Sequence, residues 1–316
     1  MEKKKEAKKY RLLLISAGLG SVLGAGIIVG LSATITIWQN VLGLSAGQVG
    51  IVSSLLTFSI AAGSLLAGKI SAQFGLIRAF NYMNLGFIVG TILIIFAQNL
   101  EMLMIGTTIA GFISGVDLPI ALTVISQDAP DDKTAAELVS GTQIYWTVGI
   151  LLATLAAFAT SAMPGALSAQ IVMGILAVIA AGTFLLRNGS KEIRELHEKA
   201  LQKNRNQEQE AEVKKSVLKF LFGKEKKKYL GFFICIMMFY CGWNLLANTF
   251  GQFQTYMLVK ANASQSFATG AGLVLTLVCM VVAAIFSKIA GGRNRNVAFG
   301  AGIIIMVAAL IGLALS

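Results

Sequence analysis

Three amides recur at a spacing of four in one apolar stretch of this chain: Asn244, Asn248 and Gln252, flanked at the same interval by Tyr240 and Tyr256. A step of four advances about 40° around an α-helix, so the amides lie within about 80° of one another. Each carries both donors and acceptors. Such a stripe suits a hydroxyl-rich neutral solute in a wet cavity. The plainer alternative is hydrogen bonding between neighbouring helices. A second stretch carries Gln143, with Trp146 and Thr147 one turn on, an amide beside an aromatic edge of the kind that holds a sugar ring. A third carries Asp117, the one acidic residue deep inside an apolar run, close to Pro119. Proline cannot donate to the carbonyl of Gly115, so the helix is locally kinked and polar there. A carboxyl in that setting can carry a coupling proton, or it can only tie its helix to a neighbour's polar groups.

Nothing in the chain reads as a catalytic centre. His197 is the single histidine and sits in a charged interval. The serines, cysteines and acidic residues show neither nucleophile nor metal-ligand spacing, and no cofactor is expected. Cys235, Cys241 and Cys279 lie inside apolar stretches and read as packing residues. Asn262-Ala263-Ser264 matches a glycosylation acceptor, a pattern of low specificity.

The elements that must position these groups are long hydrophobic runs. Apolar residues make up 56% of the chain and charged residues 13%, about half the charge share of a soluble domain. The runs are Leu12–Trp38, Val49–Phe74, Leu76–Ala97, Met102–Ser126, Leu138–Ala159, Ala169–Leu186, Leu230–Leu258, Phe267–Phe286 and Val297–Ser316. Each is near the ~20 residues an α-helix needs to cross a bilayer. An all-α, multi-pass membrane protein is predicted. Polar groups inside such runs are costly unless they face protein or a watery cavity, which is why the amides and Asp117 carry information.

The net charge of +11 invites a nucleic-acid reading, but the distribution argues against it. With the N-terminus inside, 25 of the 26 lysines and arginines fall on the inner side and only Lys260 outside. That asymmetry is the positive-inside pattern of an inner-membrane protein. The expected partners are the lipid bilayer and a small polar solute, with no nucleic acid.

One long polar interval, Arg187–Lys228, separates six runs from three. It predicts a six-helix part over residues 1–187, a charged and amphipathic loop over 188–228, and a three-helix part over 229–316. Lys191–Val213 is charged nearly all round and reads as a solvated helix. KKSVLKFLFGKEKKK, from Lys214, reads as an amphipathic stretch on the anionic inner face. The second run ends Gly68-Lys69-Ile70-Ser71 and the eighth Ser287-Lys288-Ile289-Ala290, each before a basic turn, an internal echo that suggests repeated six-helix units. In the first run Gly20 and Gly24, and Gly26 and Gly30, mark faces for close helix approach.

At this point the chain resembles the major facilitator superfamily, within it the sugar porters and metabolite:proton symporters. GKISAQFGLIR is similar to the signature G-x-x-x-D-R-x-G-R-R: Gly68, Gly75 and Arg78 fit, while Ala72 and Gln73 replace the acid and first arginine. QDAPDDKTAAELVSGTQIYWTVGI, from Gln127, resembles the sugar-porter stretch E-x-A-P, R-G-x-L, Q-x-x-x-T-x-G through Ala129, Pro130, Leu138, Gln143, Thr147 and Gly149. Gly242-Trp243-Asn244 is similar to the G-x-N of family helix 7. The paired glutamines expected before it, and the P-E-S-P motif after helix 6, are absent.

The resemblance implies twelve helices in two halves, of which this chain would supply the first half and three helices of the second, as from a truncated coding sequence. It implies a secondary transporter moving a sugar, polyol or small polar metabolite by alternating access, with or without protons. Gln143 and Asn244 come from the resemblance as solute contacts. Trp146, Asn248 and Gln252 are expected contacts from the residues alone. Gly68, Gly75 and Arg78 would form the gating loop, and Asp117 is the proton-coupling candidate. An inert fragment and drug efflux on the same fold are the alternatives; efflux predicts apolar, aromatic cavity walls.

Overall fold

The computed structural model describes residues 2–208, 227–290 and 295–315, and among them there are helices and turns but no strand. The helices are α1 (Glu2–Leu42), α2 (Ala46–Phe74), α3 (Leu76–Ile95), α4 (Leu100–Asp128), α5 (Asp132–Thr160), α6 (Leu167–Gly189), α7 (Lys191–Glu208), α8 (Lys227–Lys260), α9 (Gln265–Ala290) and α10 (Arg295–Leu315). The nine predicted runs coincide with α1–α6 and α8–α10. Seven of the described helices, α1–α6 and α9, are long and apolar enough to cross a membrane.

Local chemistry sets the helix starts. Ser45 and Gln48 cap α2 reciprocally, side chain to backbone in both directions. Asn99 accepts from the Met102 N–H at 2.9 Å, and Asp131 from the Thr134 N–H at 2.8 Å. Gly75 turns α2 directly into α3 at φ 86°, a left-handed geometry that favours glycine. That requirement accounts for one residue of the predicted gating loop on backbone grounds alone.

α1 is the axial element. It packs on α4, α5 and α6, and is buried on nearly every face from Ser16 to Gln39. Lipid tails supply no hydrophobic drive between helices, so tight steric fit must hold them together. Gly26 and Gly30 lie against Leu176 and Val172 of α6, and Gly24 against Trp146 and Ser114. Two apolar clusters result. Leu23, Ile27, Leu31, Ile35 and Trp38 centre the one toward the α1 C-terminus. Leu13, Ala17, Phe80, Val116 and Val124 centre the one toward its N-terminus.

α7 corrects one expectation. It is a helix, but it is not solvated all round. Ile193, Leu196, His197 and Ala200 are buried, and α7 packs on α1 and α4. Their spacing is one helical face; the dense charge on the other faces hid it from the sequence reading. The amphipathic stretch from Lys214 lies almost wholly outside the described residues.

Candidate functional site

α8 lies against α1, and α9 against α5. The polar contacts of α8 and α9 with the first six helices cluster at one end: the C-terminal parts of α1 and α8 and the N-terminal parts of α2 and α9. Ser32 donates to the carbonyls of Gly251 and Gln252 at 2.9 and 2.7 Å. Thr36 donates to the Gln265 side-chain oxygen at 2.7 Å, while the Gln265 amide donates to the Ala33 carbonyl at 2.9 Å. Gln252 donates to the Ser53 carbonyl at 2.9 Å and accepts from Thr57 at 3.3 Å. The hydroxyls of Ser161 and Ser266 meet at 2.8 Å. At the other end Met237, Met238 and Tyr240 of α8 and Val281, Val282 and Ile285 of α9 are exposed. The two groups of helices are thus joined at the α1 C-terminal end.

Directly below that joint lies a cavity of about 340 Å³. Its polar wall is Ser32 from α1, Thr147 and Thr154 from α5, Gln254 and Thr255 from α8, and Thr269 and Thr276 from α9. A smaller cavity of about 140 Å³ adjoins it and shares Val29, Ile150 and Gly251 with it. Trp146, Asn248 and Gln252 line this second cavity together.

The expected solute contacts therefore divide. Trp146, Asn248 and Gln252 converge on one void. Asn244 donates to the Tyr240 carbonyl at 2.8 Å and accepts from Asn248 at 2.7 Å, a hydrogen-bond ladder running along α8. Gln143 is exposed on α5. Neither Gln143 nor Asn244 lines the described cavities. Of the hydroxyl wall, Thr147 was singled out in the sequence, but Thr154, Thr269 and Thr276 were missed. Thr269 and Thr276 are seven apart, two helical turns, and that spacing was the available signal.

Asp117 lines neither of these voids. Its carboxylate takes two hydrogen bonds from Arg187 at the end of α6, at 2.5 and 3.1 Å. Arg187 also donates to the carbonyls of Ser16 at 3.1 Å and Phe80 at 2.7 Å, and its guanidinium lies 3.9 Å over the Phe80 ring. The pair is 3% and 2% exposed. One side chain from α6 thereby ties α1, α3 and α4. Gly20 leaves room for it, since a Cβ there would collide with the Asp117 carboxylate.

Phe80 also meets the ring of His197 edge to face, at 5.9 Å between centroids. His197 pairs through Nδ1 with Asp128 at 2.6 Å, both buried. Arg78 lines a pocket of about 460 Å³ here with Gln73, Gln127, Asp128 and His197, while Gly68 stands exposed on α2. Lys8 and Lys9 of α1 pair with Glu192 and Glu195 of α7. Backbone bonding, chiefly at its own N–H, and the Lys8 hydrogen bond hold the Glu192 carboxyl below its ordinary value. The Thr134 backbone N–H does the same for Asp131.

Comparison with known proteins places this geometry. The Major Facilitator Superfamily model matches residues 12–316. The "Minor myo-inositol transporter IolF" of Bacillus subtilis (strain 168) is 31% identical over 288 residues, covering 87% of this chain and 64% of that protein. The chain thus spans just under two thirds of that relative. The solved "D-xylose-proton symporter" superposes with a TM-score of 0.67 at 15% identity, over 88% of this chain and 68% of the other. The partially occluded, inward-open xylose transporter XylE from E. coli gives 0.67 at 14% identity, over 90% and 74%. At that identity the structures speak to the fold alone. The chain belongs to the Major Facilitator Superfamily.

Proposed function

We propose that the protein is a secondary transporter that carries a neutral polyhydroxylated solute, a sugar or an inositol-like polyol, by alternating access. One observation carries the reading: a cavity lined by hydroxyls and an amide among apolar side chains lies between the six-helix group and α8–α9, and among the described residues the hydrogen bonds between the two groups gather at one end. A solute site that two helix groups close alternately needs that arrangement. The similarity to a myo-inositol transporter supports the solute class.

The lysine and arginine distribution supports a cell-membrane orientation with the N-terminus, α7 and the α2–α3 turn at Gly75, with Gly68 and Arg78 on the flanking helices, in the cytoplasm and the joined end outside. Trp146, Asn248 and Gln252 are proposed solute contacts on the strength of their shared void. Gln143 and Asn244 remain contacts by family resemblance only.

Asp117 is better suited to tying helices than to relaying protons, because Arg187 occupies both its oxygens away from the cavities. Facilitated uniport is the corresponding mode. Uptake of labelled myo-inositol and D-xylose into proteoliposomes, with and without a pH gradient, tests the proposal. Saturable uptake of either, indifferent to the gradient, is expected. Failure to move either overturns the function and favours the inert alternative. Gradient-driven accumulation that Asp117→Asn abolishes would return Asp117 to proton coupling.

A further inference from the structure

We propose that the larger cavity is an acceptor-rich subsite, in which Thr154, Gln254, Thr269 and Thr276 select solutes by the hydroxyl protons they can donate and reject anions. The proposal rests on the transport reading and deepens it.

A hydroxyl has one proton and two lone pairs. In this cavity five of the six wall hydroxyls have committed their protons. Thr147 donates to the Gln143 carbonyl at 3.1 Å, and Thr154 to Ile150 at 2.9 Å. Thr269 donates to Gln265 and Thr276 to Gly272, each at 2.9 Å. Every one of these acceptors lies one turn earlier in the same helix. Ser32 does the same across a helix boundary, toward Gly251 and Gln252. Five wall hydroxyls therefore have lone pairs, and no proton, left to offer a solute.

The donors left are few. Among the described residues the Gln254 amide and the Thr255 hydroxyl line the cavity without a hydrogen-bond partner, and no charged side chain lines it. A carboxylate entering such a space gives up its hydration and meets no cation. A neutral solute with adjacent hydroxyls donates to several lone pairs at once, and its own oxygens accept from Gln254. The volume of about 340 Å³ is within the roughly 300–1,000 Å³ of small-molecule sites. Gln254 comes from α8, and Thr269 and Thr276 from α9, whereas Thr154 comes from α5 in the other helix group. A solute bridging them would report on the closure of the two groups.

The test uses the full chain reconstituted in vesicles, with myo-inositol and D-xylose as probes. Analogues with single hydroxyls replaced by fluorine lose the proton and keep the size; uronic-acid counterparts add a carboxylate. Fluorinated analogues should bind several-fold more weakly and carboxylates should not compete. Thr269→Val and Thr276→Val remove a lone-pair donor without changing volume, and each should weaken binding about fivefold, with Thr→Ser restoring it. Wild-type affinity in both valine variants, or full binding of every fluorinated analogue, overturns the subsite and leaves transport standing. If the valine variants fail to fold, the analogue series on the unaltered protein decides. A wild-type protein that binds neither probe overturns the subsite together with the function.

Discussion

Arg187 holds both oxygens of Asp117 across 70 residues of sequence, at 2.5 and 3.1 Å, inside the six-helix group. Two of its three remaining N–H groups donate to the carbonyls of Ser16 and Phe80. Burying two charges is tolerable only because the geometry is bidentate and these further N–H groups have partners. Removing one partner strands the other charge. Arg187→Met or Asp117→Leu alone should cost about 3–5 kcal/mol, and the double variant far less. Thermal unfolding in detergent across this cycle measures it; equal losses in single and double variants would refute the pairing.

The joined end depends on a few neutral hydrogen bonds. Gln265 takes part in two of them, accepting from Thr36 and donating to the Ala33 carbonyl. Gln265→Ala should destabilise this closed arrangement by about 1–2 kcal/mol. The population open at the α1 C-terminal end should then rise about 5- to 30-fold. Distances between spin labels placed on α1 and α9 at that end report the change; an unaltered distribution would exclude Gln265 as a latch.

Docking of α7 rests on Ile193, Leu196 and Ala200 beside the buried His197–Asp128 pair. Leu196→Ala should remove about 2 kcal/mol or more of local stability. Hydrogen exchange over residues 191–208 should accelerate accordingly while α1 to α6 stay protected. Unchanged exchange would mean that the helix is held by its ion pairs alone.

Trp146 and Asn248 line the same void, so alanine at either should weaken solute affinity about tenfold. Gln143→Ala should leave it near the wild-type value, since the Gln143 side chain lines neither cavity. Uptake titrations on the three variants discriminate; the reverse order would favour the family-derived contact over the cavity.

Two carboxylates give the pH dependence a sign. Asp131 caps α5 and Glu192 pairs with Lys8, and both are held below their ordinary values of 3.8 and 4.5. A depressed carboxylate stabilises the fold fully above its unfolded value and loses that contribution as pH falls through its folded one. The α7 contact and the α5 start should therefore loosen only below these values, and not between pH 6 and 8. Asp131 is exposed and Glu192 partly so, so the effect is small and salt-sensitive. Cross-linking of Lys8 to Glu192 variants across pH checks the direction.

Much of the fold was legible before any coordinates. Each spanning run can be read without knowledge of its partners, because the bilayer imposes length and apolarity on every helix separately. The caps at Ser45, Asn99 and Asp131 and the turn at Gly75 are local for the same reason. The site was legible only in part. Periodicity found Asn248 and Gln252, which share a void with Trp146, but it did not show that Gln252 also bonds Ser53 of α2 or that Asn244 bonds within its own helix. The charges of α7 masked a narrow apolar face.

Sequence alone determined the class, the number of hydrophobic runs and the family resemblance, since these follow from composition and from motifs a few residues long. Tertiary structure decided that Asp117 meets Arg187, that His197 meets Asp128, and that threonines of α5 and α9 share a cavity with Gln254. Those outcomes depend on how helices rotate and approach. Small residues in α1 set that through steric fit between helices, a property of pairs of surfaces that no single segment encodes.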